Sequence, residues 1–396
     1  MRIAKALTLS LLLATALLLT TPASAMQDVW KQGDMSLKLG YLLQVQGTAT
    51  QDANGAGDGW GTDFFVRRSR FLLGGAVSKN VTFFMETDHP NWGKDNKDGK
   101  YSSTFFVQDA FINFKLGEHF FVDTGMLLLP FTHHFTQGAT NLNTLDYHSG
   151  NRYHAGKVWR DMGVMARGYF LDKALVVRLA VTNGAEGVAA SLNEDGVTGN
   201  AMINESDLPR VTANVRYNIM GRETGFFLGG HYFSKEPIIS VGAAIDFQKD
   251  ALQKTAPAVG VDATDPAKPV PVLTDKGEAQ NYMAMGGDVF VEYPFANGHS
   301  LTYQTNVLMY DYGEEAANTG WGLINELSYR IEQVALVGAY DMFKSDADNS
   351  DYTQVQGGVN VYIVKHNASL KAAWYMTTVG DADAVHGAII QTQLYF

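Results

Sequence analysis

Hydrophobic and polar residues alternate along many segments of this chain. In the segment 35–47, leucine, tyrosine and valine occupy one face and lysine, glutamine and glycine the other, with Leu42 as the exception. This period of two is that of a β-strand with one apolar and one polar face. The pattern predicts sixteen strands, at 35–47, 63–77, 80–88, 104–115, 119–127, 160–170, 174–183, 208–218, 238–248, 281–293, 300–311, 320–331, 333–343, 352–364, 368–377 and 386–396.

The connections between these strands alternate in length. Short ones include 78–80, 171–173 and 365–367, and long ones include 48–62, 89–103, 128–159, 184–207 and 249–280. Transmembrane β-barrels have this asymmetry, with short periplasmic turns and long outer loops. A further strand-like stretch lies within 219–237. Counting it would give an odd number of strands and move 249–280 to the turn side, so we interpret 219–237 as an elaborated periplasmic connection.

Both ends of the sequence indicate export. Arg2 and Lys5 precede an apolar run, and an Ala-Ser-Ala cleavage site follows at 23–25, so we expect a cleaved signal peptide over 1–25. The apolar run is shorter than the roughly 20 residues that a membrane helix needs. The remainder, 26–396, is then a single transmembrane barrel domain. Its last strand ends on Phe396, and terminal aromatics of this kind resemble the signal that the barrel-insertion machinery reads. We therefore expect a bacterial outer-membrane location.

The composition agrees with an exported barrel and excludes other classes. The chain has no cysteine, so its stability does not depend on disulfides. Its formal net charge of −11 argues against a nucleic-acid partner. No pattern indicates a cofactor. The mean hydropathy of −0.11 is modest, as expected for strands that are apolar on one face only.

A sixteen-stranded barrel predicts a pore. A sheet crosses lipid only when it closes on itself, because every backbone amide must then be paired. Sixteen to eighteen strands leave a water-filled channel, so a selective pore needs an element that narrows it. The loop 128–159 mixes apolar and polar residues, which favours a constriction loop that folds inward. The alternative is an outer loop that caps a neighbouring subunit.

Charges in mid-strand should face the lumen, because a cation facing lipid at the midplane costs about 2–4 kcal/mol. The basic pore-lining candidates for selectivity are Arg68, Arg70, Arg167, Arg178, Arg210 and Arg216. The acidic pore-lining candidates are Glu86, Asp109, Asp288, Glu292 and Glu326. Arginines concentrate on some strands and acids on others, which predicts walls of unlike charge and a transverse field. The alternative is that these charges pair across strands and only hydrate the wall.

The constriction loop carries its own basic and titratable residues. They are His133, His134, Arg152, His154 and Lys157. We expect no metal site, because His133 and His134 are adjacent and no carboxylate follows at ligand spacing. A polar, partly basic constriction is the interpretation that remains. Since histidine titrates near pH 6.5, protonation of these residues would make conductance depend on pH.

Four segments together resemble the phosphate-selective porin O and P family. They contain Arg67-Arg68-Ser69-Arg70 within 64–75, Leu129-Pro130-Phe131 within 125–131, Arg160-Asp161-Met162-Gly163 within 159–168, and Gly242-Ala243-Ala244 within 238–248. The resemblance extends over most of the mature chain. It implies a sixteen-stranded barrel, a homotrimer and passive transport of anions such as phosphate. The chain is acidic overall, however, and lacks the dense basic arrays that phosphate selectivity requires.

These observations lead to one expected function and two alternatives. We expect an outer-membrane porin for passive diffusion of small hydrophilic solutes or ions, and the resemblance implies a preference for anions or phosphate. Its partners would be outer-membrane lipid, other copies of itself, the insertion machinery and small anions. We do not expect an enzyme, because neither a Gly-x-Ser-x-Gly nor a His-Glu-x-x-His motif is present. The alternatives are a plugged structural or adhesive barrel and an outer-membrane hydrolase.

Overall fold

The computed structural model describes residues 26–51, 59–94, 104–148, 160–184, 191–193, 196–198, 201–202, 207–261, 269–313 and 318–396. Sixteen antiparallel strands close into a barrel, which confirms the predicted fold class. The strands are β1 (Met35–Gln51), β2 (Trp60–Ser78), β3 (Val81–Asp88), β4 (Phe106–Lys115), β5 (Phe120–Leu128), β6 (Arg160–Phe170), β7 (Leu175–Thr182), β8 (Arg210–Met220), β9 (Ile238–Val261), β10 (Pro269–Pro294), β11 (Ser300–Asp311), β12 (Gly320–Ile331), β13 (Val334–Ser345), β14 (Tyr352–His366), β15 (Ala368–Val379) and β16 (Val385–Tyr395). The predicted signal peptide, 1–25, lies outside the described residues.

The barrel closes where the first and last strands meet. β16 pairs antiparallel with β1, with Leu394 opposite Leu43. Beyond this ladder, the amide of Tyr41 donates to the carbonyl of Phe396 at 2.8 Å, and the amide of Phe396 donates back at 3.1 Å. The final aromatic residue therefore completes the seam. A further short strand, Gln27–Gln32, pairs with the start of β1.

The two faces of the wall differ as the alternation predicts. On β11, Thr302, Gln304 and Asn306 are buried inside the barrel, whereas Val307 and Met309 are about half exposed on the outside. An apolar exterior suits lipid, and a polar interior suits a lumen. Within the described residues, no helix is long and apolar enough to cross a membrane.

One end of the barrel has short turns and the other has long connections. The residues between β14 and β15 and between β12 and β13 form tight turns, while β9 and β10 extend far beyond their neighbours as a paired hairpin. The segment predicted as the outer loop 249–280 is therefore largely strand, apart from 262–268, which lie outside the described part. The residues 221–237 form a connection at the short-turn end and not a strand of the barrel, as the even strand count requires.

Candidate functional site

The loop that follows β5 runs into the barrel, and its described part ends at His148. Its aromatic residues Phe131 and Phe135 are at most 1% exposed and pack in a cluster with Tyr282, Leu308 and Ile324 of the barrel wall. Burying a phenylalanine side chain stabilises by about 1.5–3 kcal/mol. The apolar residues that made this loop unusual in the sequence thus fasten it to the β10–β12 wall.

Polar contacts fix the same loop at His133. Its backbone amide donates to Asp288 at 3.0 Å, its Nε2 lies 2.8 Å from Glu223, and its ring stacks on Phe290 at 4.3 Å. Burial raises the pKa of Glu223, but His133 and Arg216 outweigh burial and lower that pKa to about 2. Glu223 is therefore a carboxylate at neutral pH, and its contact with His133 holds the loop.

Asp146 fastens the far part of the loop to β2. It accepts hydrogen bonds from Arg67 Nε and from Arg68 Nη2, both at 2.6 Å. Two consecutive arginines reach the interior because the β1–β2 register shifts between Gln44 and Val45, which is a β-bulge. Strict alternation turns Arg67 outward, so the sequence argument missed it.

The middle of the loop is held by side chains from the strands near the barrel seam. Lys371 contacts the carbonyl oxygens of Leu142 and Thr144, and the latter lies 3.3 Å from Nζ. Asn360 donates to the carbonyl of Asn143 at 2.7 Å. The loop therefore contacts β2, β14 and β15 as well as the β10–β12 wall, and so it crosses the lumen.

A second segment, 221–237, also folds inward and pairs with the loop. The amide of Leu228 donates to the carbonyl of Thr136 at 2.8 Å, and the amide of Gly138 donates to the carbonyl of Leu228 at 3.1 Å. Gly230 packs so closely on the loop that a Cβ there would lie 2.8 Å from Asn141 O. The sequence interpretation of a connection holds, but its insertion into the lumen was not foreseen.

The predicted basic residues all lie inside the barrel, at most 8% exposed, and most have a carboxylate partner. Arg70 binds Glu86 and Asp88, Arg167 binds Asp123, Arg210 binds Asp246, and Arg216 binds Asp288. Each pair joins strands that are close in the barrel. These arginines therefore fit the alternative, in which charges pair across strands, better than the prediction of two lumen walls that carry unpaired charges of opposite sign.

Arg178 differs from the other five predicted arginines. It is 3% exposed, and its Nη2 donates to Gly225 O at 2.6 Å. Its Nε has no hydrogen-bond partner, and the structure records no ion pair with a carboxylate for it in the described part of the chain. It lies between Arg167 on β6 and Asn214 on β8. Arg178 is thus a cation whose charge is not cancelled by a direct partner.

The five predicted acidic residues are interior as well, and each holds another group. Glu86 and Asp288 bind arginines, Asp109 binds Arg160 at 2.9 Å, Glu292 accepts the amides of Tyr232 and Ser234, and Glu326 lies 2.7 Å from His148. Three predicted loop residues, Arg152, His154 and Lys157, lie outside the described residues.

The loop brings His134 and His148 next to Glu326 of β12. Their ligand atoms all lie within 4.8 Å of one another, so this group could hold a metal ion. The sequence analysis expected no metal site, because it compared only residues close in sequence. Burial, with His148 beside it, lowers the pKa of His134 to about 3. Burial also lowers the pKa of His148, but Glu326 and Asp341 outweigh burial and raise it.

A cavity of about 400 Å³ remains between the two inward segments and the β1–β6 wall. Arg70, Arg160 and Arg167 contribute its basic groups, and Leu42, Phe84, Phe111 and Phe226 contribute apolar surface. Leu42, the exception to the alternation of β1, therefore faces this interior space.

The fold is that of outer-membrane porins of known structure. No protein-family model matches the sequence, and no curated protein matches it either. Among solved structures, OmpF of Salmonella typhi is similar over 93% of this chain and 100% of its own, with a TM-score of 0.57 and 14% identity. An anion-selective porin from Comamonas acidovorans is similar over 92% of this chain and 100% of its own, with a TM-score of 0.55 and 12% identity. The trimer form of OmpT, an outer membrane protein of Vibrio cholerae, is similar over 92% of this chain and 100% of its own, with a TM-score of 0.53 and 12% identity. At these identities the likeness shows the fold.

Proposed function

We propose that this protein is a passive diffusion channel of the bacterial outer membrane for small hydrophilic solutes. The observation that carries the proposal is a sixteen-stranded barrel with a polar interior that an inward loop narrows to a cavity of about 400 Å³. We place the route of a solute beside the β1–β6 wall, where this cavity lies. Export by a cleaved signal peptide and assembly as a homotrimer belong to the same proposal. The similar OmpT structure of trimer form supports the trimer.

We also propose a preference for anions, set by the electrostatic field of Arg178, which lies on β7 next to the cavity-lining Arg167 on β6. Among the described residues, the charge of Arg178 has no direct carboxylate partner. One structurally similar protein is an anion-selective porin. A specific preference for phosphate has less support, since the other predicted arginines are ion-paired.

Uptake into liposomes tests the diffusion channel directly. The detergent-folded protein is reconstituted into vesicles, which are then diluted into isotonic solutions of neutral sugars of increasing size. Swelling that is fast for a pentose and slow for a trisaccharide would support a narrow aqueous channel. Vesicles that swell no faster than protein-free vesicles would reject it.

A plugged barrel is the second candidate, and a particular observation favours it. Polar lumen side chains such as Gln44, Gln304 and Glu326 are at most 1% exposed, because the inward segments cover them. A plugged barrel would give no swelling with any sugar, whereas a channel gives swelling that depends on size.

A further inference from the structure

Three buried side chains from two separate elements meet inside the lumen. His148 Nε2 lies 2.7 Å and His134 Nδ1 lies 3.7 Å from Glu326 Oε1, and the two imidazole rings are 4.9 Å apart. All three residues are at most 3% exposed. His134 and His148 come from the inward loop and Glu326 from β12, so the group forms only when the loop is folded into the barrel.

Within the described part of the chain, two polar atoms of this group have no hydrogen-bond partner. They are His134 Nδ1 and Glu326 Oε2, and both are buried. Buried polar atoms in folded proteins are nearly always satisfied, and an unsatisfied one calls for an explanation such as a bound ion. A cation between the imidazoles and the carboxylate would satisfy both atoms at once.

The donor set selects the kind of cation. Two imidazole nitrogens and one carboxylate oxygen form a ligand set that zinc uses in catalytic sites, and imidazole also suits copper and nickel. Asp341 Oδ2 lies 3.9 Å from His148 Nδ1, beyond hydrogen-bond distance, so a carboxylate stands near the ring nitrogen that the metal would leave free. The carboxyl groups of Glu326 and Asp341, both beside His148, suit a divalent ion.

We infer that His134, His148 and Glu326 bind a divalent transition-metal ion, with zinc the best fit, and that this ion fastens the inward loop to β12. The amide of His148 donates to His134 Nε2 at 3.1 Å, so a neutral His134 carries its proton on Nδ1. When the metal binds Nδ1, that proton moves to Nε2 and the hydrogen bond from the His148 amide is given up. Metal binding at His148 Nε2 likewise replaces its hydrogen bond to Glu326 Oε1, and the proton is then carried by Nδ1, which faces Asp341. Because protonated imidazole cannot coordinate, uptake is weaker in acid.

Zinc binding to the detergent-folded full chain tests the inference without any measurement of transport. Isothermal titration with zinc chloride should give one ion per chain. Glu326→Gln and His134→Gln should each weaken binding by roughly tenfold or more, since even outer ligands of metal sites have effects of that size. His231→Gln is the matched control, because His231 is equally buried in the lumen but lies outside the group; it should bind as the unmodified protein does.

X-ray absorption at the zinc edge on the unmodified protein keeps the test valid if a variant fails to fold. Two imidazole ligands with one or more oxygen ligands are expected. Absence of stoichiometric binding, a spectrum without two imidazoles, or unchanged affinity in both folded variants would overturn the inference. None of these outcomes depends on whether the barrel conducts, so failure here leaves the proposed channel untouched.

Discussion

Replacing Asp146 by asparagine should release the far end of the inward loop. The carboxylate accepts hydrogen bonds from Arg67 and Arg68, both at 2.6 Å, and its own Oδ1 also accepts the amide of Tyr147 at 2.9 Å. Asparagine keeps the shape of the side chain but removes the negative charge. Two arginines of the lumen wall would then lose their carboxylate partner.

The size of the effect follows from these two charged hydrogen bonds. A hydrogen bond to a charged group contributes about 1.5–3 kcal/mol. The Asp146 side chain is 31% exposed, so solvent screens part of each contribution. We therefore expect the variant to lose about 2–3 kcal/mol of stability at neutral pH.

The effect of pH on this difference has a definite sign. Burial raises the pKa of Asp146, but Arg67 and Arg68 outweigh burial and hold that pKa well below its ordinary value of 3.8. A depressed carboxyl pKa contributes stability above the ordinary value, and this is lost as the pH falls below it. The stability difference between the unmodified protein and Asp146→Asn should therefore shrink below about pH 4.

Thermal unfolding and single-channel recording provide the assay. The variant should unfold at a lower temperature and show larger or noisier current steps, because the loop occupies the lumen less completely. Asp172→Asn is the control, since it removes the same charge from a turn side chain that is 98% exposed. Equal unfolding temperatures and identical currents for Asp146→Asn and the unmodified protein would refute the reasoning.

Three further predictions concern selectivity, pH and packing. Arg178→Gln should lower the anion-to-cation permeability ratio by roughly fivefold, because about 1 kcal/mol of attraction for anions is lost. The control variant Arg222→Gln, at an exposed side chain, should leave that ratio unchanged. Reversal potentials in a salt gradient measure the ratio. In metal-free protein, recorded with a chelator present, the raised pKa of His148 implies that its charged contact with Glu326 is complete below pH 6.5 and is lost as the pH rises through the raised value. Conductance should then rise in alkali, and His148→Gln should remove this dependence. Phe131→Ala should destabilise the protein by about 3–5 kcal/mol through the cavity it creates, and a loss under 1 kcal/mol in denaturant unfolding would contradict the packing described.

The wall of the barrel was predictable because alternation is a local signal. The predicted strand 320–331 has the bounds of β12, and 300–311 has those of β11. On both strands every second residue faces the interior. Once one residue is known to face inward, the alternation therefore fixes which side of the wall every other side chain of the strand faces. The same rule failed at Arg67, where a β-bulge turns one extra arginine inward.

The interior of the barrel was much less predictable. Glu223 and Asp146 lie in segments where apolar and polar residues do not alternate regularly. The neighbouring sequence therefore gave no sign that these carboxylates would bind His133 and Arg68. Glu326 lies 178 residues from His148, and only the path of the loop across the lumen brings them together. The clearest available signal for the segment 221–237 was its aromatic and glycine content at a place where an added strand would break the even count.

The current through a planar bilayer under a potassium chloride gradient tests the central claim most directly. We predict discrete, ohmic steps from the unmodified protein and a reversal potential displaced toward that of chloride. Steps that reverse near the potassium potential would contradict the role given to Arg178 and leave the channel in place. The absence of steps from correctly folded protein would contradict the channel itself and favour a plugged barrel.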